Sequence, residues 1–173
     1  TINGQKATPE LVAWVKQRVE WGLNGASAHS DGVLMLVVDK GGRSVLSVGP
    51  YEPLKKTSAN DLLARAREAR EEAGVTGVAP EELWMVTEDT LVWGTTSDFV
   101  PSGASSLIFD LARTMGMPTR CDEHLLKNAA RSGWMGAEVF LVSDEHGVVP
   151  ASDHSGVRAG KFARSYEKLL ARR

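Results

Sequence analysis

Three short apolar runs constrain this chain more than anything else in it: Val33-Leu-Met-Leu-Val-Val38, Leu83-Trp-Met-Val86 and Ala137-Glu-Val-Phe-Leu-Val142. Each is too short for a buried helix, and none alternates as a half-exposed strand would, so each reads as a buried strand. Strands of that kind need helices over them. Pro9 to Leu23 spaces Leu11, Val12, Trp14, Val15, Val19 and Leu23 at helical intervals, with Thr8 placed to cap the first turn. Further helices are predicted over Ser58–Ala73, where Gly74 supplies a stop, and over Ser102–Met115, Glu123–Arg131 and Lys161–Ala171. The first run turns at Asp39-Lys-Gly-Gly42 into Ser44–Val48, a β-hairpin. The fold class expected is therefore α/β, a mixed sheet flanked by helices in two or three layers. At 173 residues with 42% apolar content, one domain spanning 1–173 is expected.

Charge and composition narrow the partners. A net charge of -2 gives no basic field of the kind that draws a protein to nucleic acid or to an anionic membrane. No apolar run is long enough to cross a bilayer, and Thr1-Ile-Asn-Gly-Gln-Lys6 lacks the apolar core of a secretory signal, so a cytoplasmic location is expected. The single Cys121 cannot form an internal disulfide or build a thiolate metal site alone. His29, His124, His146 and His154 are scattered, and the Cys121–His124 pair is two ligands, not a site. No metal is expected.

The order helix, hairpin, helix, strand, helix, strand resembles the cytidine deaminase fold, an α/β/α sandwich. In that family one helix opens with Cys-Ala-Glu or His-Ala-Glu and the next with Pro-Cys-x-x-Cys, and the three ligands hold zinc. Here the matching positions read Ser58-Ala59-Asn60 and Pro101-Ser102-Gly103-Ala104-Ser105. Serine hydroxyls are weak zinc ligands, and the amide of Asn60 has no accessible acid or base form. The resemblance thus implies a pseudoenzyme without a zinc cofactor, whose catalytic residues, if any, are unassigned. It also implies that Ser58, Asn60, Ser102 and Ser105 converge in one cavity, where two helix N-termini would favour an anionic or nucleoside-like ligand. Tyr51 and Glu52 would contact that ligand, and Glu52, Lys56 and Trp93 would line the rim. For Ser58 and Ser102, helix capping is the other role open.

Two further resemblances compete. Arg67-Glu-Ala-Arg-Glu-Glu-Ala-Gly-Val75 is similar to the end of the Nudix box, in which glutamates bind magnesium for pyrophosphate hydrolysis; the glycine and glutamate expected upstream are Pro53 and Ala59. Lys56-Thr-Ser-Ala-Asn60 with Gly94-Thr-Thr-Ser97 resembles fold-type IV pyridoxal-phosphate enzymes of the branched-chain aminotransferase type. That third resemblance implies a Schiff base on Lys56 and phosphate in the Thr/Ser loop, in proteins much longer than this one. The function expected first is a metal-free binder or transformer of a small nucleoside-like or anionic ligand, with no cofactor and assembled as a homo-oligomer. A Nudix pyrophosphohydrolase and a non-catalytic scaffold subunit are the alternatives.

Overall fold

A computed structural model describes residues 8–24, 29, 32–38, 43–76, 79–94 and 101–171. The chain divides into two compact units, Thr1–Pro53 and Leu54–Arg173.

In the first unit, α1 (Pro9–Asn24) begins where Thr8 Oγ1 accepts the Leu11 N–H at 3.3 Å, the cap read from the sequence. The strands β1 (Val33–Val38) and β2 (Ser44–Gly49) pair antiparallel, Val33 opposite Gly49 and Val38 opposite Ser44. The helix meets the hairpin through Gly22, whose missing Cβ makes room for the Leu46 side chain, and through Arg18 Nε, which donates to Ser44 Oγ at 3.1 Å. No α1 residue is buried, although Val12, Trp21 and Leu23 are large and apolar. The hairpin forms a two-stranded sheet of its own. The hairpin expected from the sequence is present; the apolar pattern specifies a strand, not the strand's partner.

The second unit holds α2 (Ala59–Thr76), β3 (Glu81–Thr87), β4 (Thr90–Trp93), α3 (Gly103–Thr114), β5 (Thr119–Cys121), α4 (Leu125–Ser132), β6 (Glu138–Ser143), β7 (Gly147–Pro150) and α5 (Val157–Leu170). The sheet order is β5-β4-β3-β6-β7, antiparallel throughout except for the parallel pair β4–β5. The mixed sheet flanked by helices is as expected. Side chains alternate across it. Leu83, Met85, Val139 and Leu141 face α2 and α4, while Trp84, Val86, Phe140 and Val142 face α3 and α5. Because helices cover both faces, β3 and β6 read as unbroken apolar runs in the sequence.

Helix starts follow local chemistry. α2 opens on a capping box: Asp61 N–H donates to Ser58 Oγ at 3.2 Å, and Ser58 N–H and Oγ–H donate back to Asp61 Oδ2 at 3.2 and 2.5 Å. It runs one turn-fraction past Gly74, to Thr76. α5 starts at Val157, four residues before the predicted Lys161, because Glu138 Oε2 accepts the Ala159 N–H at 2.7 Å and holds the first turn. Among the described residues, no helix is long and apolar enough to cross a membrane.

Candidate functional site

A cavity of about 790 Å³ opens in the second unit on the face that carries α4. Its floor is apolar, from Met85, Val92, Leu125 and Trp134; Arg120, Asp122 and Asn128 supply polar groups along its wall. Each lining segment is set by identifiable local structure. The β3–β4 turn reverses on Glu88 at φ +53 and Asp89. Asp122 organises the start of α4: its Oδ1 accepts the His124 N–H at 2.9 Å, its carbonyl accepts the Leu125 N–H at 2.9 Å, and its own N–H donates to Trp93 O at 3.0 Å. α4 ends at Gly133, whose φ of +69 is the left-handed conformation that glycine adopts without penalty. The chain then folds Trp134 inward against His154, ring centroids 6.0 Å apart, and leaves Met135 89% exposed at the rim. Arg120 makes no ion pair among the described residues, so its guanidinium is available to an anion.

None of the eight residues singled out from the sequence lines this cavity. Tyr51 and Glu52 are exposed in the first unit, and Lys56 and Asn60 are exposed near the start of α2. Trp93 was expected at a pocket mouth; it instead stacks on Trp84 at 5.9 Å and meets Phe109 edge-on at 4.8 Å in the interior of the α3/α5 face. The two serine pairs do not meet. Ser58 and Asn60 open α2, on one face of the sheet and beside the residues that follow β7, since Ala59 N–H donates to Asp153 Oδ1 at 2.7 Å and Ser152 N–H to Thr57 O at 2.8 Å. Ser102 and Ser105 open α3 on the other face, beside the turn that precedes β7, since Ala104 N–H donates to Asp144 Oδ1 at 2.8 Å. The convergence that the deaminase resemblance required is therefore absent. Its physical premise, parallel strands feeding both helices from one sheet edge, fails because α2 follows β2, which belongs to the two-stranded sheet, whereas α3 follows β4 of the five-stranded sheet.

Around the start of α3 lies a second polar cluster, of which the sequence pointed to Ser102 and Ser105 but not to Glu82. Ser102 Oγ caps the helix by accepting the Ser105 N–H at 3.2 Å, and Ser105 Oγ–H donates to Glu82 Oε2. Glu82 is only 3% exposed, and its Oε1, like Trp84 Nε1, is buried without a hydrogen-bond partner. Burial pushes its carboxyl up to about 7; the Ser105 hydroxyl opposes this, the like charge of Asp144 adds to it, and Arg70 and Trp84 oppose it more weakly. The neighbouring Glu81 is held differently, by a two-point pair with Arg65 at 2.9 and 2.6 Å and by the Ser143 hydroxyl at 3.1 Å. A carboxylate facing inward at the head of an apolar strand was the available signal.

Glu71 and Glu72, the pair carried by the Nudix resemblance, are exposed on α2. Among the described residues no group of three His, Cys, Asp or Glu side chains could hold a metal ion.

No family model matches the chain, and no curated protein matches its sequence. Similarity is found to solved structures. An aminotransferase from Brucella abortus bound to the cofactor PLP has a TM-score of 0.57 at 14% identity, over 93% of this chain and 76% of that one. A putative branched-chain amino acid aminotransferase from Thermotoga maritima has 0.55 at 15%, over 90% and 70%. A putative 4-amino-4-deoxychorismate lyase has 0.55 at 15%, over 87% and 74%. Against the branched-chain amino acid aminotransferase of Escherichia coli, the chain spans only 32% of that protein's length. These likenesses establish the fold. They match the third resemblance, to fold-type IV pyridoxal-phosphate enzymes, and do not support the first, to cytidine deaminases.

That fold raises the question of whether the residues present fit pyridoxal phosphate, which needs a lysine for its aldehyde and oriented donors for its phosphate. Lys56 precedes Thr57, which is bonded to Ser152 beyond the end of β7, whereas Gly94 follows the end of β4. β7 and β4 are three strand spacings apart in the sheet, roughly 14 Å. Thr95, Thr96 and Ser97 lie outside the described residues. Three helix starts, where phosphate is commonly held, are already engaged by carboxylates of the chain: Asp153 at α2, Asp144 at α3 and Glu138 at α5. The described residues do not fit a cofactor linked to Lys56 with its phosphate at a helix start.

Proposed function

We propose that the second unit binds a small amphipathic molecule carrying an anionic group, in the cavity between β3, β5 and α4. The observation that carries this is the pairing of an apolar floor (Met85, Val92, Leu125, Trp134) with the guanidinium of Arg120, which has no ion pair among the described residues. Small-molecule sites pair apolar surface with convergent polar groups; here the two share the lining, with Glu88 and Asp122 beside Arg120. The volume, about 790 Å³, suits a compact organic ligand. Structural likeness to aminotransferases and to a lyase supports a small-molecule scaffold. The anionic ligand expected from the sequence is retained in this proposal, but at Arg120 and not at the helix starts.

Thermal unfolding in the presence of benzoate, isovalerate and cytidine tests the proposal. The two carboxylates should raise Tm saturably, and cytidine should not. Arg120→Gln should weaken the carboxylate effect about tenfold, the loss of one charge-assisted contact, and Ser132→Trp, which crowds the rim, should abolish it. Stabilisation that survives both substitutions, or none from any carboxylate, would overturn the assignment.

A further inference from the structure

The start of α3 brings first-turn N–H groups and the positive end of the helix dipole together beside buried hydroxyls, a setting that favours an anion. Ser102 and Ser105 are 1% and 0% exposed. Yet the groups that an incoming anion would use are already committed. Asp144 Oδ1 takes the Ala104 N–H at 2.8 Å, and the Cβ position of Gly103 faces the same oxygen at 3.6 Å. Ser102 Oγ takes the Ser105 N–H at 3.2 Å, its carbonyl takes the Ser106 N–H at 3.0 Å, and the Ser105 hydroxyl is spent on Glu82. Asp144 is itself fixed, through its N–H to Pro80 O at 3.1 Å.

We propose that Asp144 and Glu82 are a built-in substitute for a bound anion at the start of α3, a carboxylate lock that excludes phosphate-bearing ligands, pyridoxal phosphate included, from this fold position. Three independent features support it. A phosphate brought to the Ala104 N–H would have to displace one carboxylate and lie against another, a like-charge contact in a partly dry environment. Glu82 Oε1 is buried with no hydrogen-bond donor on it, so one of the cluster's own carboxyl oxygens is left unpaired before any further anion arrives, although Trp84 Nε1 is a buried donor without a partner. The same device recurs at α5, where the Glu138 carboxylate occupies the space a Cβ on Gly156 would fill while it accepts the Ala159 N–H. The nearest cation, Arg70, does not open the lock: its Nη2 donates to Gly94 O.

The experiment uses the full chain, with inorganic phosphate as the probe at constant ionic strength. The unaltered protein should show no saturable Tm response to phosphate. Asp144→Ser withdraws the carboxylate and leaves space at the Ala104 N–H. It should bind phosphate about tenfold more tightly than the parent, the scale of a helix-end charge interaction in partly buried surroundings, with a saturable Tm rise of a few degrees. Asp144→Asn keeps an acceptor on the Ala104 N–H while removing the charge, and decides the matter if Asp144→Ser does not fold. It should give a smaller phosphate response than Asp144→Ser but more than the parent. A saturable phosphate response in the parent protein would overturn the lock. So would a folded Asp144→Ser, or failing that Asp144→Asn, that is indifferent to phosphate. Ser132→Trp should leave all these responses unchanged, which separates the lock from the cavity of the proposed function.

Discussion

The two faces of the five-stranded sheet are packed by different means. On the α3/α5 face the filling is aromatic: Phe140 stacks on Trp84 at 6.3 Å and on Phe162 at 5.5 Å, with Phe109 edge-on to Trp84 at 5.0 Å. On the α2/α4 face the helices contribute aliphatic side chains to the core, Leu62, Leu63, Leu125 and Leu126 interleaved with Ala59, Ala66 and Ala129. Stacked rings fill one face; on the other the filling is aliphatic and a cavity remains beside α4. The buried carboxyl Glu82 lies near the aromatic side. A sheet covered on both faces can thus divide its tasks, one face supplying stability and the other space for a ligand.

Deletion of a large side chain from each face is the strongest way to break that contrast. Phe140→Ala should cost about 3–5 kcal/mol, since the void is enclosed by rings that cannot collapse. Leu125→Ala should cost about 2 kcal/mol, near the transfer value alone, because the new space merges with an existing cavity. Urea unfolding of both variants measures the difference. Equal losses would mean that the cavity face is as tightly packed as the other.

The next effect is set by pH. The Glu82 carboxyl has its pKa raised from 4.5 to about 7, so the folded state holds this proton more tightly than the unfolded chain does. The stabilisation from this group is therefore complete below about 4.5 and is lost as pH rises through about 7. Glu82→Gln removes the titration. Relative to the parent, the variant should gain roughly 2–3 kcal/mol between pH 4.5 and pH 8, with other carboxylates cancelling in the comparison. A pH-independent difference between the two proteins would show that Glu82 titrates normally.

The same contrast explains what could be read from the sequence. β3 and β6 were legible because both their faces are covered, which gives an unbroken apolar run. β4, β5 and β7 were not: they are four, three and four residues long, and β5, Thr119-Arg-Cys121, is exposed and carries no pattern. The turn at Glu88-Asp89 has none of the Asn-Gly chemistry that announces a hairpin. Helix starts were legible as caps at Thr8, Ser58 and Ser102, because capping is local. Which carboxylates would reach those helices was not, since Asp153 and Asp144 arrive from 94 and 40 residues away. The cavity was hidden for the same reason. Its lining runs from Met85 to Ala137, and Arg120 and Asn128 read singly as ordinary surface residues.

The smallest effect tests the contrast by addition instead of deletion. Ala112 is fully buried on α3, within the aromatic cluster, and Ala129 is 6% exposed on α4, lining the cavity. The same enlargement, alanine to leucine, therefore meets a filled space in one case and an open one in the other. Ala112→Leu should destabilise by about 1–3 kcal/mol, the usual penalty for forcing rings off their rotamers. Ala129→Leu should change stability by less than about 1 kcal/mol in either direction, because its added methyl groups gain contact with Met85, Val92 and Trp134 without displacing anything. The second substitution also narrows the site, so a Tm near that of the parent combined with a weakened benzoate response is the expected signature. If Ala129→Leu instead destabilises as much as Ala112→Leu, the space beside α4 is not open in solution, and the ligand site proposed there falls with it.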